Sequence, residues 1–299
     1  MKKVLVTGAS GCVGRYCLPL LVKGGYEVNA VYLKNEPIDH KEVIWHRVDL
    51  LDRSQTSELI SKISPSHLLH LAWIATPREF WNSLENLRWA EASLHLFREF
   101  ADRGGQRVVA AGSCAEYEWK QGYCVEGNTP LRPATLYGAT KHGVQCILKA
   151  FAAEAKISAG WGRVFFVYGP HEHPEKLVAY VIRQLLRREP ARCSHGEQVR
   201  DFLYVKDVAD AFIALLQSQV SGPVNIGSGT AITLKELILK IAELLDGKDL
   251  IRLSTLATPN EPEIILADVR RLRDEVGWSP SWSLVDGLRQ SIDWWEPRI

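Results

Sequence analysis

The chain carries no surplus of either charge: Lys and Arg number 36 and Asp and Glu 35 among 299 residues. That balance offers no field to nucleic acid or to an anionic membrane surface, so neither is expected as a partner. No apolar run approaches the ~20 residues needed to span a bilayer. Only Val4, Leu5 and Val6 separate Lys2-Lys3 from Thr7-Gly8, too short a stretch for a signal-peptide core. The six cysteines (12, 17, 114, 124, 146 and 193) include no C-x-x-C pair and no histidine-bearing cluster of metal-ligand spacing. They read as free thiols in a reducing compartment, with no metal expected. There is no internal repeat and no low-complexity segment. What these absences leave is a soluble, cytoplasmic globular protein, long enough to divide into two lobes.

What is there begins with Lys3-Val4-Leu5-Val6, a short strand of the buried type. It runs into Thr7-Gly8-Ala9-Ser10-Gly11-Cys12-Val13-Gly14 and then a helical stretch from Arg15 to Val22. Glycines at 8, 11 and 14 let the backbone turn tightly and approach a pyrophosphate, whose charge falls on the helix N-terminus. A glycine triplet alone is weak; between a first strand and a helix it marks a dinucleotide site over a plain strand-turn-helix. Gly8, Ser10, Gly11, Cys12, Val13 and Gly14 are then cofactor contacts. The second strand, residues 26–32, ends at Tyr32, where an NAD site wants a carboxylate for the ribose 2′-hydroxyl. Leu33 and Lys34 follow, and the first acid is Glu36. Arg15 is a second cation within reach of a 2′-phosphate, so the reading leans to NADP over NAD, with solvated surface charges as the plain alternative.

Asp49-Leu50, after the strand-like Trp45-His46-Arg47-Val48, suits an adenine edge and face. His67-Leu68-Leu69-His70-Leu71-Ala72 is a further strand whose end, Leu71 and Ala72, would meet the cofactor. Trp73, Trp81 and Trp89 follow, as sugar-pocket candidates or, more simply, packing residues. Leu87, Ala90, Leu94, Phe97 and Ala101 step by 3 and 4, the stripe of a core-facing helix. Strand and helix in this alternation predict an α/β fold, a right-handed, doubly wound parallel sheet.

The chemistry gathers between Ser113 and Lys141. Val144, Ile147, Leu148 and Phe151 recur at helical spacing after Leu136-Tyr137-Gly138-Ala139-Thr140-Lys141, so Tyr137 and Lys141 lie one turn apart on one face. A phenol titrates near pH 10 in water and is a poor acid or base at neutrality. An ammonium one turn away favours the phenolate. Ser113, at the end of the apolar run Arg107-Val108-Val109-Ala110-Ala111, offers a hydroxyl to a carbonyl oxygen. Tyr-x-x-x-Lys alone could equally be a packed, solvated pair, but it is the only one of nine tyrosines with lysine at +4.

Thr7-Gly-x-x-Gly-x-x-Gly14, Asp49-Leu50, His70-Leu71-Ala72, Ser113, Tyr137-x-x-x-Lys141 and Val167-Tyr168-Gly169-Pro170 occur in that order. Over nearly its whole length the chain resembles the extended short-chain dehydrogenase/reductases that act on nucleotide sugars, the NAD-dependent epimerase/dehydratase family. Arg200-Asp201-Phe202-Leu203-Tyr204-Val205, Asn225-Ile226-Gly227-Ser228-Gly229 and Gly277-Trp278-Ser279-Pro280 are similar to later family segments. The resemblance implies a Rossmann domain over 1–170, completed by about 200–227. A smaller, mostly C-terminal α+β substrate lobe would take 171–199 and 228–299, and the protein would be a homodimer. It implies Tyr137 as proton donor, Lys141 on the nicotinamide ribose, Ser113 on the substrate oxygen and Arg200 on the diphosphate; the plain alternative for Arg200 is an ion pair with Asp201.

Departures from the pattern narrow the chemistry. Dehydratases of this kind carry Asp-Glu after the Ser113 position, where this chain has Cys114-Ala115. Glu116 falls one residue late, which in an extended segment turns it to the opposite face. The residues that epimerising GDP-fucose synthases use are replaced by Ala115 and Tyr180. Cys114 is a displaced acid or, more simply, a buried thiol. His171 and His173 face substrate or solvent. Phe166 replaces an asparagine that contacts the sugar. Pro259-Asn260-Glu261-Pro262 stands where an arginine for the second phosphate is common, and Arg252 and Arg270 do not match that position. Farther along, Leu177, Val181 and Leu185 mark a helix stopped by Pro190, Asp207 is expected to cap a helix, and Thr233 with Glu236 forms a capping box. The leading reading is reduction of the 4-keto group of a nucleotide-activated 4-keto-6-deoxy sugar with NAD(P)H. A nucleotide-sugar 4-epimerase holding NAD tightly is the alternative, and a non-catalytic dinucleotide-binding protein is the third.

Overall fold

A computed structural model describes residues 2–34, 40–74, 76, 77, 79–255 and 261–299. Glu36, Pro259 and Asn260 lie outside the described residues. The chain alternates β1 (Lys3–Thr7), α1 (Gly14–Lys23), β2 (Glu27–Tyr32), β3 (Val43–Arg47), α2 (Arg53–Ile63), β4 (His67–His70), α3 (Glu85–Asp102) and β5 (Arg107–Ser113). After α4 (Leu136–Glu154), the strands Ser158–Val164 and Gly222–Ile226 complete a seven-stranded sheet. Its order is β3-β2-β1-β4-β5, then 158–164, then 222–226, and every pairing is parallel. The chain grows outward from β1 in one direction and from β4 in the other. That switch opens a crevice at the carboxyl ends of β1 and β4, where this architecture binds ligands.

Alternation along each strand sends apolar side chains to both faces. Val4 and Val6 enter one core with Cys17, Leu18 and Leu21 of α1 and Val208, Phe212 and Leu216 of the helix Val205–Gln217. Leu5, between them, enters another with Leu59, Ile60 and Ile63 of α2, Leu96, Phe97 and Phe100 of α3 and Val144 and Leu148 of α4. A sheet covered on both faces needs strands apolar throughout, which is how β1 reads. The doubly wound sheet expected from the sequence is present.

The smaller lobe is built on a five-stranded sheet. Val199–Tyr204 pairs in parallel with Phe166–Tyr168 and Ile264–Ala267 and antiparallel with Ala231–Thr233, and Ile264–Ala267 pairs with Tyr123–Cys124. Helices Leu177–Leu186, Leu234–Leu244 and Leu284–Trp295 pack through Val181, Ile182, Leu237, Ile241, Leu288 and Ile292 into a third core. The Thr233–Glu236 capping box forms with both of its hydrogen bonds. Asp207 does not cap its helix: the helix starts at Val205, and the Asp207 carboxylate accepts from Ser281 N–H and Oγ–H and from Trp282 N–H. A long-range tether displaced a local cap. Among the described residues no helix is long and apolar enough to cross a membrane.

Candidate active site

The glycine turn closes the end of β1. Gly8 has φ +67°, and a Cβ there would stand 2.8 Å from the backbone of Leu71 and Ala72, so only glycine fits. Leu71 N–H donates to Thr7 O at 3.2 Å and Ala72 N–H to Thr7 Oγ1 at 3.3 Å, lacing the ends of β1 and β4 together. The Thr7 hydroxyl also meets His70 Nδ1 at 2.7 Å, and His70 Nε2 meets Ser93 Oγ at 2.9 Å. Burial, reinforced by the Lys141 charge, pushes the His70 imidazole down to about 3, so it stands neutral as a bridge among three elements. A Cβ on Gly14 would lie 2.1 Å from Gly8 O, which fixes glycine there too. Val13 precedes α1 with no side-chain cap; Arg15 N–H turns back to Gly11 O and Tyr16 N–H to Val13 O, so no side chain stands over the helix start. This bare, capless cradle fits a dinucleotide pyrophosphate.

The adenosine-side candidates are spread along the sheet's edge. Tyr32 ends β2 half-buried, edge-on to Trp45 at 6.0 Å, and Lys34 is exposed. The Asp49 carboxylate accepts from Leu51 N–H at 2.9 Å, and Leu50 is buried. Arg15 is committed elsewhere than a free cation: it donates to Gly11 O at 3.2 Å and Ser10 O at 2.9 Å. Its remaining nitrogen lies 2.7 Å from His171 Nδ1. His171 takes φ +67° and lies tilted against Trp294 at 4.6 Å, so it joins the cradle to the C-terminal helix. Burial, then the charges of Arg15 and Arg298, hold its imidazole down at about 4. Cys12 Sγ–H donates to Pro170 O across the same seam.

Ser113, Tyr137 and Lys141 converge where β5 meets α4. The Ser113 hydroxyl accepts from Ala115 N–H at 3.2 Å and caps a single helical turn, Cys114–Glu116. Burial holds the Tyr137 phenol well above its ordinary value, and the nearby Ser113 hydroxyl draws it partly back down. Lys141 is 3% exposed and donates to Ala111 O at 2.8 Å. Its Nζ lies 3.8 Å from the centre of the Trp73 ring and 6.0 Å from that of Tyr137. Burial lowers the amine to about 7, with Glu116 pulling the other way. The helical spacing puts phenol and amine on one face as expected, yet burial, not the ammonium, sets the phenol's pKa.

Glu116 points away from Tyr137, for a reason other than the strand alternation expected. The segment is a helical turn, and Glu116 closes a capping box on Ser113 N–H at 2.8 Å. The rest of its carboxylate receives Arg163 Nε–H at 2.7 Å and Trp161 Nε1–H at 2.9 Å, with Glu116 and Arg163 both inaccessible. Cys114 is a buried thiol whose pKa burial drives upward. Arg200 is buried and pairs with Glu261 at 3.0 Å, not with Asp201; Glu261 is also held by Gln198 at 2.7 Å. The Arg200 guanidinium lies 5.5 Å from the centre of the Phe166 ring. Asp201 instead accepts from Ser228 N–H and Gly229 N–H at 2.6 and 2.9 Å. Phe80 and Trp119 reach the site without having been singled out in the sequence. Phe80 and Trp81 meet the phenol edge-on at 4.8 and 5.8 Å, and Trp119 meets Trp81 at 6.0 Å. An isolated aromatic in a loop carries no periodic signal that could have marked them. Trp89 packs beside the second core.

A doubly wound sheet, a dinucleotide cradle at its switch point and a Ser-Tyr-Lys set at the next strand end define a short-chain dehydrogenase/reductase of the extended kind. The chain belongs to the NAD dependent epimerase/dehydratase family, whose model matches residues 4–227. It is 26% identical over 318 residues to a UDP-glucuronate 4-epimerase of Thermodesulfobacterium geofontis, covering 99% of this chain and 96% of that one. It is 25% identical over 304 residues to the dTDP-4-dehydro-6-deoxyglucose reductase of Escherichia coli, covering 97% and 96%. Among solved structures, MoeE5 in complex with UDP-glucuronic acid and NAD aligns with a TM-score of 0.86 at 30% identity, covering 99% of this chain and 100% of that one.

Proposed function

We propose that this protein reduces the 4-keto group of a nucleotide-activated 4-keto-6-deoxy sugar, with Tyr137 as proton donor. The observation that carries this reading is the acid–base inventory around the phenol. Glu116 is locked into an ion pair with Arg163, and Cys114 is held as a neutral thiol. The groups left near the phenol are the Ser113 hydroxyl and the Lys141 amine, 6.0 Å from the ring centre, which suffice for carbonyl reduction. The near carboxylate among the described residues, Glu116, is committed to Arg163. A phenol whose pKa is raised by burial stays protonated, as a donor must. Ser113 orients the carbonyl oxygen; Tyr137 delivers its proton to that oxygen; Lys141 turns toward the ribose of the bound cofactor. The nicotinamide, when bound, supplies the hydride. Gly8, Ser10, Gly11, Cys12, Val13 and Gly14 hold the pyrophosphate, Asp49 and Leu50 the adenine, Leu71 and Ala72 the middle of the cofactor.

NADP is the preferred cofactor in this reading. Tyr32 supplies no carboxylate for a 2′-hydroxyl, and the exposed Lys34 is the cation for a 2′-phosphate, since Arg15 is tied to Ser10, Gly11 and His171. Arg200 receives the diphosphate once Glu261 releases it, and Cys114, Phe166 and His171 complete the substrate side. The main crossing between the lobes is taken near residue 170, with 123–124 and 166–168 lent to the smaller lobe's sheet and 205–226 returned to the larger domain. Leu87 of α3 and Ile147 of α4, 47% and 50% exposed, are the apolar surface of a homodimer. A cytoplasmic location accords with the free cysteines.

The test is the loss of NADPH absorbance with dTDP-, GDP-, CDP- and UDP-linked 4-keto-6-deoxyhexoses. Turnover with at least one is expected; none with any of them defeats the proposal. The second reading, a 4-epimerase with tightly held NAD, draws on the NAD bound in the MoeE5 structure and on the name of the Thermodesulfobacterium relative. Purification with stoichiometric NAD, and turnover without added NADPH, would favour it.

A further inference from the structure

Four aromatic side chains gather around the Tyr137 ring and the Lys141 amine. Phe80 and Trp81 stand edge-on to the phenol, at 4.8 Å with an interplanar angle of 84° and at 5.8 Å with 89°. Trp119 stands edge-on to Trp81 at 6.0 Å, and Trp73 covers the Lys141 amine. Each is pinned through its backbone or its indole nitrogen. Trp81 O accepts Tyr137 N–H at 2.9 Å, so the 80–82 turn is tied to the start of α4. Trp119 Nε1–H donates to Cys114 O at 2.8 Å, directly after Ser113. Trp73 Nε1–H donates to Asn86 Oδ1 at 2.9 Å, and the wholly buried Asn86 donates in turn to Phe80 O and Ser83 O. All four rings are only half-buried. With their nitrogens occupied, the indoles of Trp73 and Trp119 have only carbon to present.

We infer that Phe80, Trp81 and Trp119 form a wall that selects a sugar with a methyl group at C6, against one with a hydroxymethyl or a carboxylate there. The inference rests on the nucleotide-sugar reading above and specifies its substrate. If the phenol addresses the oxygen on C4, the rings packed against the phenol face the substituents of C3 or C5, and C6 hangs from C5. A methyl group on such rings is desolvated at no polar cost. Against Phe80 and Trp119 a hydroxyl loses its water with only ring carbon to replace it, and a carboxylate loses far more. The wall therefore separates this chain from relatives named for UDP-glucuronate, whose C6 is a carboxylate.

The experiment is binding calorimetry on the whole protein with NADP present, so that catalysis is not needed. The probes are glucose, 6-deoxyglucose and glucuronic acid, each linked to dTDP, UDP, GDP and CDP, with the free nucleoside diphosphates as controls. Expected is a 6-deoxy sugar bound at least about tenfold more tightly than the 6-hydroxy sugar, within the range an unpaired buried hydroxyl costs, and glucuronate weaker still. Trp81→Leu and Trp119→Leu should each shrink that ratio while free nucleoside diphosphate binds as before, which certifies the fold. Equal binding of the three sugars, or variants that lose sugar and free diphosphate in equal measure, overturns the wall. Binding of none of the sugars overturns both the wall and the nucleotide-sugar reading. A clear 6-deoxy preference with no NADPH oxidation on 4-keto substrates leaves the wall standing and removes the reductase.

Discussion

Two Arg–Glu pairs flank the site, and they differ in what surrounds them. Glu116 and Arg163 are 0% and 1% exposed, and Glu116 has two further N–H donors, from Ser113 and Trp161. Arg200 is 4% exposed but its partner Glu261 is 31% exposed. A charge pair sealed on both sides is fixed, because removing either partner strands the other in a low-dielectric interior. A pair with one member in water can exchange partners at little cost. The first pair therefore holds Ser113 in place, and the second is the one the proposed function needs to open for a diphosphate.

The contrast can be broken in stages. The largest effect belongs to the phenol between them in the proposed chemistry. Tyr137→Phe should lower turnover by ~10²–10⁴, the value of general acid catalysis, with cofactor affinity nearly unchanged. Retention of more than about a tenth of the rate would exclude the phenol as donor. Lys141→Met, by contrast, should weaken both turnover and cofactor binding. Next, Glu116→Gln leaves the Arg163 charge buried and unpaired. Urea unfolding should show a loss of about 3–5 kcal/mol, whereas Glu261→Gln, at a carboxylate 31% exposed, should cost less. Equal losses for the two variants would erase the distinction between the pairs. Smaller still, Glu261→Gln should tighten binding of a free nucleoside diphosphate by up to about fivefold, matching the ~1 kcal/mol ceiling of a partly exposed pair. Glu116→Gln should not share that gain.

The last stage is a pH profile. Burial brings the Lys141 amine down to about 7 in the fold, from its ordinary 10.5. Between those values the unfolded chain binds the proton that the folded protein lacks, so this group makes stability rise with pH from about 7 to 10.5. Lys141→Met removes that contribution. The melting temperature of the parent should gain on that of the variant as pH rises through this window, and parallel curves would contradict the buried amine. His70 and His171, held at about 3 and 4, act likewise at lower pH. Their neutral forms are favoured in the fold, so stability should fall as pH drops from about 6.5 toward 4.

Much of the fold was legible because it is local. Val4-Leu5-Val6 had to be a strand buried on both faces, and Gly8 and Gly14 had to be glycine. The Tyr137–Lys141 spacing put both on one side of α4. Thr233 and Glu236 announced their own cap. Asp207 misled, because the same residue that caps a helix locally can accept N–H groups from Ser281 and Trp282 seventy-odd positions away. The partner of Arg200 was equally hidden: its neighbour Asp201 was the local candidate, and Glu261 took the place from 61 residues off. Phe80 and Trp119 carry no period, and only the closure of the loops around α4 set them beside the phenol.

By itself, then, the sequence determined the parallel sheet, the dinucleotide cradle and the order of Ser113, Tyr137 and Lys141, since hydrophobic period, glycine sterics and helical spacing act over a few residues. Tertiary structure decided the state of those groups: which carboxylate is locked in an ion pair, which arginine can be released, and how far burial moves the phenol and the amine. Desolvation and charge pairing depend on what the whole chain brings within a few ångströms, and no local stretch encodes that.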